Sequence, residues 1–370
     1  MNPIRILVVD DSVVMRRVIC QVLEDDPELE IAGWAANGRL ALERIPQVHP
    51  DCVTLDVEMP EMDGIAALRE IRKLFPRLPV IMFSTETRQG AVRTIEALSL
   101  GATDYVSKPA NAGSVKESIA RLREELAPRI KAHCRPPRMS PPLQPSPHSP
   151  SAAVCKAVPL PAPRSALRHC DIICIASSTG GPNALSAIFQ QLRAALPIPL
   201  VLVQHMPPVF TALLAERLNS LGACRVSEAR DGEALKNGHA YLAPGGRHME
   251  LLRDRPATLV RLTDAPPENS CRPAADVLFR SVASLYGPAV LGLVLTGMGQ
   301  DGMRGGRAIV ERGGVVMAQD EPSSVVWGMP GSVVQQGLAE RVLGLAEIPH
   351  VLQDWARRHS PNASAERAAS

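Results

Sequence analysis

Short apolar runs alternate with amphipathic segments along the first third of the chain. The apolar runs cover residues 4–9, 30–35, 51–55, 79–83 and 104–107. Between them lie segments with helical periodicity, such as residues 65–75, where apolar side chains recur on one helix face. Five β/α repeats of this kind predict an α/β domain with a doubly wound, five-stranded parallel sheet at residues 1–127.

The pattern stops at residues 128–168, which are crowded with proline, serine and alanine and hold few large apolar side chains. Such a segment cannot bury enough apolar surface to offset the entropy lost on ordering. We therefore predict a flexible linker here.

Alternation of apolar runs and helical periodicity returns at residues 169–352. Strands are predicted at 171–176, 199–204, 240–243 and 289–295, and helices at 182–196, 210–220 and 274–285. This pattern predicts a second doubly wound, mostly parallel α/β domain. The polar residues 353–370 are expected to form a frayed tail.

Composition and charge narrow the class of protein. The chain has 370 residues, 45% of them hydrophobic, which is enough for two cores. The 40 Lys and Arg against 38 Asp and Glu leave a net charge of +2, so no global attraction to nucleic acid or membranes is expected. The first apolar run is too short for a signal peptide or a membrane span. The eight cysteines include no CxxC pair, which disfavours a zinc site. Free cysteines in a chain of this size suit the reducing cytoplasm.

Polar residues follow the strands of the first predicted sheet where those strands end: Asp10, Asp11, Asp56, Ser84 and Lys108. The carboxyl ends of parallel strands open on one crevice, so these side chains should meet. Crowded carboxylates repel one another unless a cation joins them, and Mg²⁺ suits an all-oxygen site. A carboxylate can attack phosphorus, with a lysine and Mg²⁺ neutralising the phosphoryl charge. These residues therefore predict an aspartyl-phosphate site.

Taken singly, several of these polar residues fit simpler structural roles. Asp63 before Gly64 is best interpreted as a helix cap, and Ser12 can cap the first helix instead of contacting phosphate. Tyr105 can be a packing residue.

The motifs Asp10-Asp11-Ser12, Asp56-Val57-Glu58-Met59-Pro60 and Lys108-Pro109 resemble those of receiver domains of bacterial response regulators, which have a flavodoxin-like sheet. The resemblance implies that a histidine kinase donates phosphate to Asp56. It implies a Mg²⁺ site formed by Asp10, Asp11, Asp56 and the carbonyl of Glu58. It also implies that Ser84, Tyr105 and Lys108 respond to phosphorylation as switch residues.

A second group of chemically capable residues lies at strand ends in the other domain. Ser178 follows a buried strand and precedes a helix that begins near Pro182. A serine at a helix N-terminus has backbone N–H groups nearby that can stabilise an oxyanion. His205 and Asp301 also follow predicted strands, so Ser178, His205 and Asp301 can act as nucleophile, base and base-orienting carboxylate.

Each member of this group has an alternative. Ser177 competes with Ser178 for the nucleophile. A histidine before Met-Pro, such as His205, is often a buried structural residue, and Asp301 in Gly-Gln-Asp-Gly can be a turn residue. His248 is a competing histidine, and its glycine-rich setting favours a place on the rim of the site or in loop structure.

Three motifs resemble the catalytic domain of the chemotaxis receptor methylesterase: Ser178-Thr179-Gly180-Gly181-Pro182, Gln204-His205-Met206-Pro207, and Thr296-Gly297-Met298-Gly299-Gln300-Asp301-Gly302. The resemblance implies a catalytic triad of Ser178, His205 and Asp301, with the Met298 backbone amide in the oxyanion hole and Thr179 nearby. One departure is Ala176, where the family usually has glycine.

The resemblance implies hydrolysis of glutamate methyl esters on the cytoplasmic helices of chemoreceptors. The same acyl-enzyme chemistry also allows deamidation of receptor glutamines. The layout suggests that the unphosphorylated receiver covers the rim that carries Ser178. The alternative is a non-catalytic module that competes for phosphoryl groups and binds receptor. A DNA-binding regulator is disfavoured because the second half shows β/α alternation and no basic recognition helix.

Overall fold

The first sheet has five parallel strands. The structure is a computed structural model that describes residues 2–108, 115–134 and 169–359. The strand order is β2-β1-β3-β4-β5. The strands are β1 (Ile4–Val9), β2 (Leu29–Ala35), β3 (Cys52–Asp56), β4 (Val80–Ser84) and β5 (Asp104–Ser107). The helices are α1 (Val13–Glu24), α2 (Gly38–Val48), α3 (Gly64–Leu74), α4 (Arg88–Ser99) and α5 (Val115–Cys134). The predicted flavodoxin-like fold is confirmed.

A seven-stranded sheet organises the second domain, in the order β14-β13-β12-β6-β7-β9-β8, and all neighbouring strands are parallel. The strands are β6 (Ile172–Ser177), β7 (Leu200–Gln204), β8 (Arg225–Glu228), β9 (His239–Leu242), β12 (Val290–Val294), β13 (Val315–Gln319) and β14 (Ala339–Leu343). The central strands β6, β7 and β12 are buried along their whole length, which explains their continuous apolar sequences. The predicted doubly wound α/β domain is thus confirmed.

Helices cover this second sheet, and a hairpin packs against one of them. The helices are α6 (Gly181–Gln191), α7 (Phe210–Leu221), α8 (Ala275–Tyr286), α9 (Met303–Glu311), α10 (Gly328–Gln335) and α11 (Ile348–His359). The antiparallel hairpin of β10 (His248–Asp254) and β11 (Ala257–Thr263), which the sequence did not predict, packs on α8. No helix among the described residues is both long and apolar enough to cross a bilayer.

Two predicted boundaries differ from the structure. Helix α5 continues to Cys134, into the segment assigned to the linker, because Leu122, Leu126 and Ile130 are buried on one face. Helix α11 continues to His359, into the segment assigned to the tail, because Leu352 and Ala356 are buried in the same way. Apolar side chains four residues apart therefore outweigh the polar composition around them. The rest of the predicted linker, 135–168, and of the tail, 360–370, lies outside the described residues.

Candidate phosphorylation pocket and candidate active site

The predicted acidic pocket forms where β1, β3 and β5 end. Carboxylate oxygens of Asp10, Asp11 and Asp56 all lie within 4.8 Å of one another. The ammonium Nζ of Lys108 is 2.7 Å from Oδ2 of Asp56 and 3.0 Å from Oδ2 of Asp10. Asp10 and Asp56 are buried, whereas Asp11 is exposed at the mouth. The structure therefore brings together the residues that the strand ends predicted.

The loop after Asp56 needs a glycine where α3 begins. A Cβ on Gly64 would lie 2.0 Å from the carbonyl oxygen of Asp56, which no side chain can tolerate. Asp63 accepts a hydrogen bond from the Ala66 backbone N–H at 2.8 Å and so caps α3, as predicted. Ser12 caps α1 in the same way through the Met15 N–H, at 3.3 Å.

The charges in this pocket do not balance. Burial raises the pKa of Asp56 to about 6, and the charge of Lys108 opposes that shift while Asp10 adds to it. Oδ2 of Asp10 is buried without a well-oriented hydrogen bond, although the Lys108 ammonium is close. One lysine faces three carboxylates, so the all-oxygen donor set fits a divalent cation such as Mg²⁺. Glu58 and Ser84 line the same cavity, whose volume is about 320 Å³.

Tyr105 lies at the contact between the two domains. Its ring stacks on Phe210 of α7, with centroids 5.0 Å apart and planes inclined by 12°. The Arg129 guanidinium of α5 lies 5.9 Å from the ring centroid and donates a hydrogen bond to the Tyr105 carbonyl at 2.6 Å. Asn183 of α6 donates to the carbonyl of Ala102 at 3.1 Å, and α4 packs against α7. The predicted aromatic switch position is therefore an interdomain contact.

Ser178 lies on the turn between β6 and α6. Its backbone N–H donates to the Thr296 carbonyl at 3.0 Å, which ties the turn to the loop after β12. Gly297 in that loop must be a glycine, because a Cβ there would lie 2.8 Å from the Cβ of Ser178 and 2.3 Å from the Met329 sulfur. Gly180 has a φ of 76° and lets the chain turn directly into α6.

The two candidate serines have different environments. Ser177 is fully buried, and its hydroxyl donates to Oε1 of Gln204 at 2.7 Å. The Gln204 amide donates in turn to the Ser178 carbonyl at 2.9 Å. Ser178 lines a cleft of about 640 Å³ that His205 also lines. Sequence analysis named Gln204 as part of a motif but predicted no role for it. The available signal was a polar residue at the end of a buried strand.

His205 and Asp301 form a pair just after the carboxyl ends of β7 and β12, with Asp301 buried and His205 largely so. Nε2 of His205 donates to Oδ2 of Asp301 at 2.8 Å. The Asp301 carboxylate also accepts backbone hydrogen bonds from Ala275 at 2.6 Å, Asp276 at 3.0 Å and Gly302 at 3.1 Å. Asp301 therefore sits at the N-terminus of α8, where backbone N–H groups favour a negative charge. It is more than a turn residue.

Opposing effects act on the pKa values of this pair. Burial alone would lower the pKa of His205, but the hydrogen bond to Asp301 and the neighbouring Cys271 raise it above its ordinary value. Burial alone would raise the pKa of Asp301, but His205 and the backbone donors lower it. The geometry favours an ionised carboxylate that supports positive charge on the imidazole.

Nδ1 is the imidazole nitrogen left for a reacting group, since Nε2 is bound to Asp301. The sulfur of Cys271 lies 3.5 Å from Nδ1. Within residues 2–108, 115–134 and 169–359, no hydrogen bond joins Ser178 to His205, although the predicted nucleophile and base line the same cleft. Catalytic hydrogen bonds are often long before substrate binds. Cys271 is a further neighbour that sequence analysis did not identify.

The predicted oxyanion residues, Thr179 and Met298, line the cleft with Ser178. In the described part of the chain, their backbone N–H groups donate to no protein acceptor. His248 is excluded as a competing base, because Ala274 N–H donates to its Nδ1 and its Nε2 donates to the Pro266 carbonyl. The cleft therefore holds a serine, a histidine–aspartate pair and two unpaired amides.

Sequence comparisons match both halves of the chain. Residues 6–120 match the response regulator receiver domain model, and residues 173–352 match the CheB methylesterase model. A protein-glutamate methylesterase/protein-glutamine glutaminase from a Nocardioides species is 51% identical over 97% of this chain and 97% of its own length. One from Trichodesmium erythraeum is 47% identical over 94% of this chain and 97% of its own length.

Among solved structures, the Thermotoga maritima CheB methylesterase catalytic domain is 41% identical, with a TM-score of 0.49. It covers 50% of this chain and 98% of its own. The receiver domain of Thermotoga maritima CheB is 39% identical, with a TM-score of 0.33, and covers 36% of this chain and 97% of its own. By the identity and coverage of its full-length relatives, the chain belongs to the CheB methylesterase family with an N-terminal response regulator receiver domain.

Proposed function

We propose that the protein is a phosphorylation-activated protein-glutamate methylesterase that acts on chemoreceptors in chemotaxis adaptation. The observation that carries the proposal is the cleft in which Ser178, the His205–Asp301 pair and the free amides of Thr179 and Met298 meet. The full-length relatives share this two-domain organisation and bear the corresponding name.

The proposed ester reaction uses the groups that line the cleft. Ser178 attacks the glutamate methyl-ester carbonyl while Nδ1 of His205 accepts its proton, and Asp301 stabilises the imidazolium. The amides of Thr179 and Met298 stabilise the oxyanion. Methanol leaves with the proton from His205. Water, deprotonated by the same imidazole, then releases the glutamate and restores Ser178.

Deamidation of receptor glutamines would follow the same steps, with ammonia leaving in place of methanol. Both reactions pass through a tetrahedral oxyanion, so the cleft needs no additional group. The names of the relatives include protein-glutamine glutaminase. We therefore propose that glutamine side chains at the same receptor positions are a second substrate.

Control of this reaction is proposed to lie in the receiver domain. A histidine kinase is the proposed phosphodonor, with Asp56 as acceptor and Lys108 as partner of the transferred group. Mg²⁺ held by Asp10, Asp11, Asp56 and the Glu58 carbonyl would neutralise phosphoryl charge. Phosphorylation would move Ser84 and Tyr105, and loss of the Tyr105–Phe210 stack would open the cleft. We place this chemistry in the cytoplasm, with no nucleic-acid partner and no direct insertion into the membrane.

Methanol release from methyl-labelled receptor membranes tests the proposal. Wild type should release methanol faster when a small-molecule phosphodonor and Mg²⁺ are added, and Ser178→Ala should release none. Ser177→Ala is the matched control, because its hydroxyl bonds only inside the protein and its loss should leave release largely intact. Absence of release from wild type under every condition would favour the receptor-binding, phosphate-competing alternative.

A further inference from the structure

A tight turn at residues 268–271 lies beside the His205–Asp301 pair. Backbone hydrogen bonds join Glu268 and Cys271 in both directions, at 3.1 and 2.9 Å. The central residues, Asn269 and Ser270, have φ values of 52° and 60°. Asparagine is favoured at the first position of a turn with two successive left-handed residues. Serine at the second position is unfavourable, because a residue with a Cβ resists this conformation. The turn is therefore held in place by its surroundings.

Ion pairing fixes this turn to α8. The Glu268 carboxylate accepts two hydrogen bonds from the Arg280 guanidinium, at 2.7 and 2.6 Å. Arg280 lies one helical turn after Asp276 on α8. The pair thus holds the turn over the N-terminus of α8, where Asp301 is bound.

The Asn269 side chain bridges two buried carboxylates. Its Nδ2 donates to Oδ1 of Asp301 at 2.9 Å and to Oδ2 of Asp276 at 3.0 Å. The other oxygen of Asp276 accepts from the backbone N–H groups of Gly302 and Gly305. Burial raises the pKa of Asp276, and the charge of Asp301 adds to that rise. Two adjacent buried carboxylates repel unless a donor lies between them, and Asn269 supplies that donor.

We propose that Asn269 is a positioning residue for the methylesterase reaction, which keeps Asp301 ionised and directed at Nε2 of His205 by donating to Asp301 and Asp276 together. The inference rests on the function proposed for Ser178, His205 and Asp301. Backbone donors hold the position of Asp301 without Asn269. The Asn269 amide additionally reduces the repulsion between Asp276 and Asp301. Without the amide, these two carboxylates would partly share a proton.

Among the described residues, five charged or titratable groups surround this arrangement. His205 faces Asp301 through Nε2 and the Cys271 thiol through Nδ1. The carboxylate pair faces Glu268, whose charge is opposed by its ion pair with Arg280 and by the more distant Arg304. If Asp301 lost part of its negative charge, it would stabilise the His205 imidazolium less. The pKa of His205 should then lie less far above its ordinary value.

The variant Asn269→Gly tests the proposal in the full-length protein with phosphodonor present, because glycine keeps the left-handed backbone and removes the amide. We expect kcat to fall roughly tenfold with little change in KM, within the ~100-fold loss that a small misplacement can cause. The acid limb of the kcat/KM profile should move to lower pH. Nitrogen NMR of the His205 imidazole, assigned with His205→Gln, should show the same shift without turnover.

Two variants of the same turn separate positioning from folding. Ser270→Gly removes the strain of a left-handed serine at position 270 and retains the Asn269 amide. The acid limb of the kcat/KM profile and the titration of His205 should therefore not move. Asn269→Asp retains the shape but adds a third carboxylate, so it should lose more activity than Asn269→Gly. An unchanged His205 titration in Asn269→Gly, with or without a loss of kcat, would overturn the proposal. If wild type shows no Ser178-dependent release, the proposed function fails, while the titration still tests Asn269.

Discussion

The neighbours of His205 determine what its imidazole can do. Asp301 binds Nε2 and is itself held by backbone donors at the start of α8, so the ring cannot rotate freely. In the proposed reaction, Nδ1 exchanges protons with Ser178 and the leaving group. Sequence analysis identified the serine, the histidine and the aspartate, because each follows a strand. The nitrogen that each partner contacts depends on ring orientation, which only the tertiary structure provides.

The pH dependence of the reaction follows from this pair. Only neutral His205 can accept the Ser178 proton, and its pKa is raised above 6.5, so kcat/KM should keep rising with pH above that value. Asp301→Asn should reduce kcat by on the order of 10³–10⁴-fold. Methanol release measured from pH 5.5 to 9.5 checks both. A plateau already reached at pH 6 would contradict the raised pKa.

A single glycine, Gly64, limits the geometry of the candidate phosphorylation pocket. The Cβ of Gly64→Ala would meet the Asp56 carbonyl at 2.0 Å, so the receiver domain should lose about 1–3 kcal/mol of unfolding free energy. Gly33→Ala is the control, because its Cβ would find only ordinary contacts at 3.5 Å and beyond. Urea unfolding and phosphodonor-dependent phosphorylation of Asp56 are the measurements. If the two variants were equally stable, the loop between Asp56 and Gly64 would be able to shift and accommodate the added Cβ.

At the scale of secondary-structure elements, the contact of β5 and α4 with α6 and α7 lies between the two candidate sites. Tyr105 comes from β5 and Phe210 from α7, while Asn183 of α6 reaches the Ala102 carbonyl just before β5. Side chains of α5 line the cleft that holds Ser178. A change in β5 would therefore act directly on the contact that we propose limits access to Ser178.

Weakening this contact should raise activity without phosphorylation. Asn183→Ala removes a hydrogen bond worth about 1 kcal/mol, which corresponds to roughly a fivefold shift toward the open arrangement. We expect higher methanol release without phosphodonor and a smaller stimulation with it. Gln190→Ala, at an exposed position of the same helix, should behave as wild type. Unchanged basal release in Asn183→Ala would mean that this bond does not restrain the receiver.

At the scale of the whole molecule, the domains separate two chemistries. The receiver holds a group of carboxylates that could bind a divalent cation, and the proposed esterase reaction uses serine, histidine and backbone amides of the cleft. In the proposed mechanism, the receiver acts on the cleft through the interface and not through a shared group. The two sites should therefore respond differently when metal is removed.

Chelation of divalent metal should abolish stimulation by phosphodonor and leave basal methanol release unchanged. The reason is that, in the proposed mechanism, Asp56 would need the cation to accept a phosphoryl group, whereas Ser178 and His205 would need none. The measurement is release with and without EDTA, each with and without phosphodonor. Re-addition of Mg²⁺ is the control and should restore stimulation. A fall in basal release with EDTA would show that the cleft also depends on metal.

The sequence alone was sufficient for both α/β domains and for the residues at the strand ends. Local periodicity reveals parallel strands buried on both faces, and parallel strands carry their carboxyl ends to one edge. Only the tertiary structure decided that α5 and α11 run past their predicted ends, that Tyr105 stacks on Phe210, and that Asn269 joins Asp276 to Asp301. These features depend on contacts between residues far apart in the chain, and on the turn geometry that such contacts hold, which no local pattern encodes.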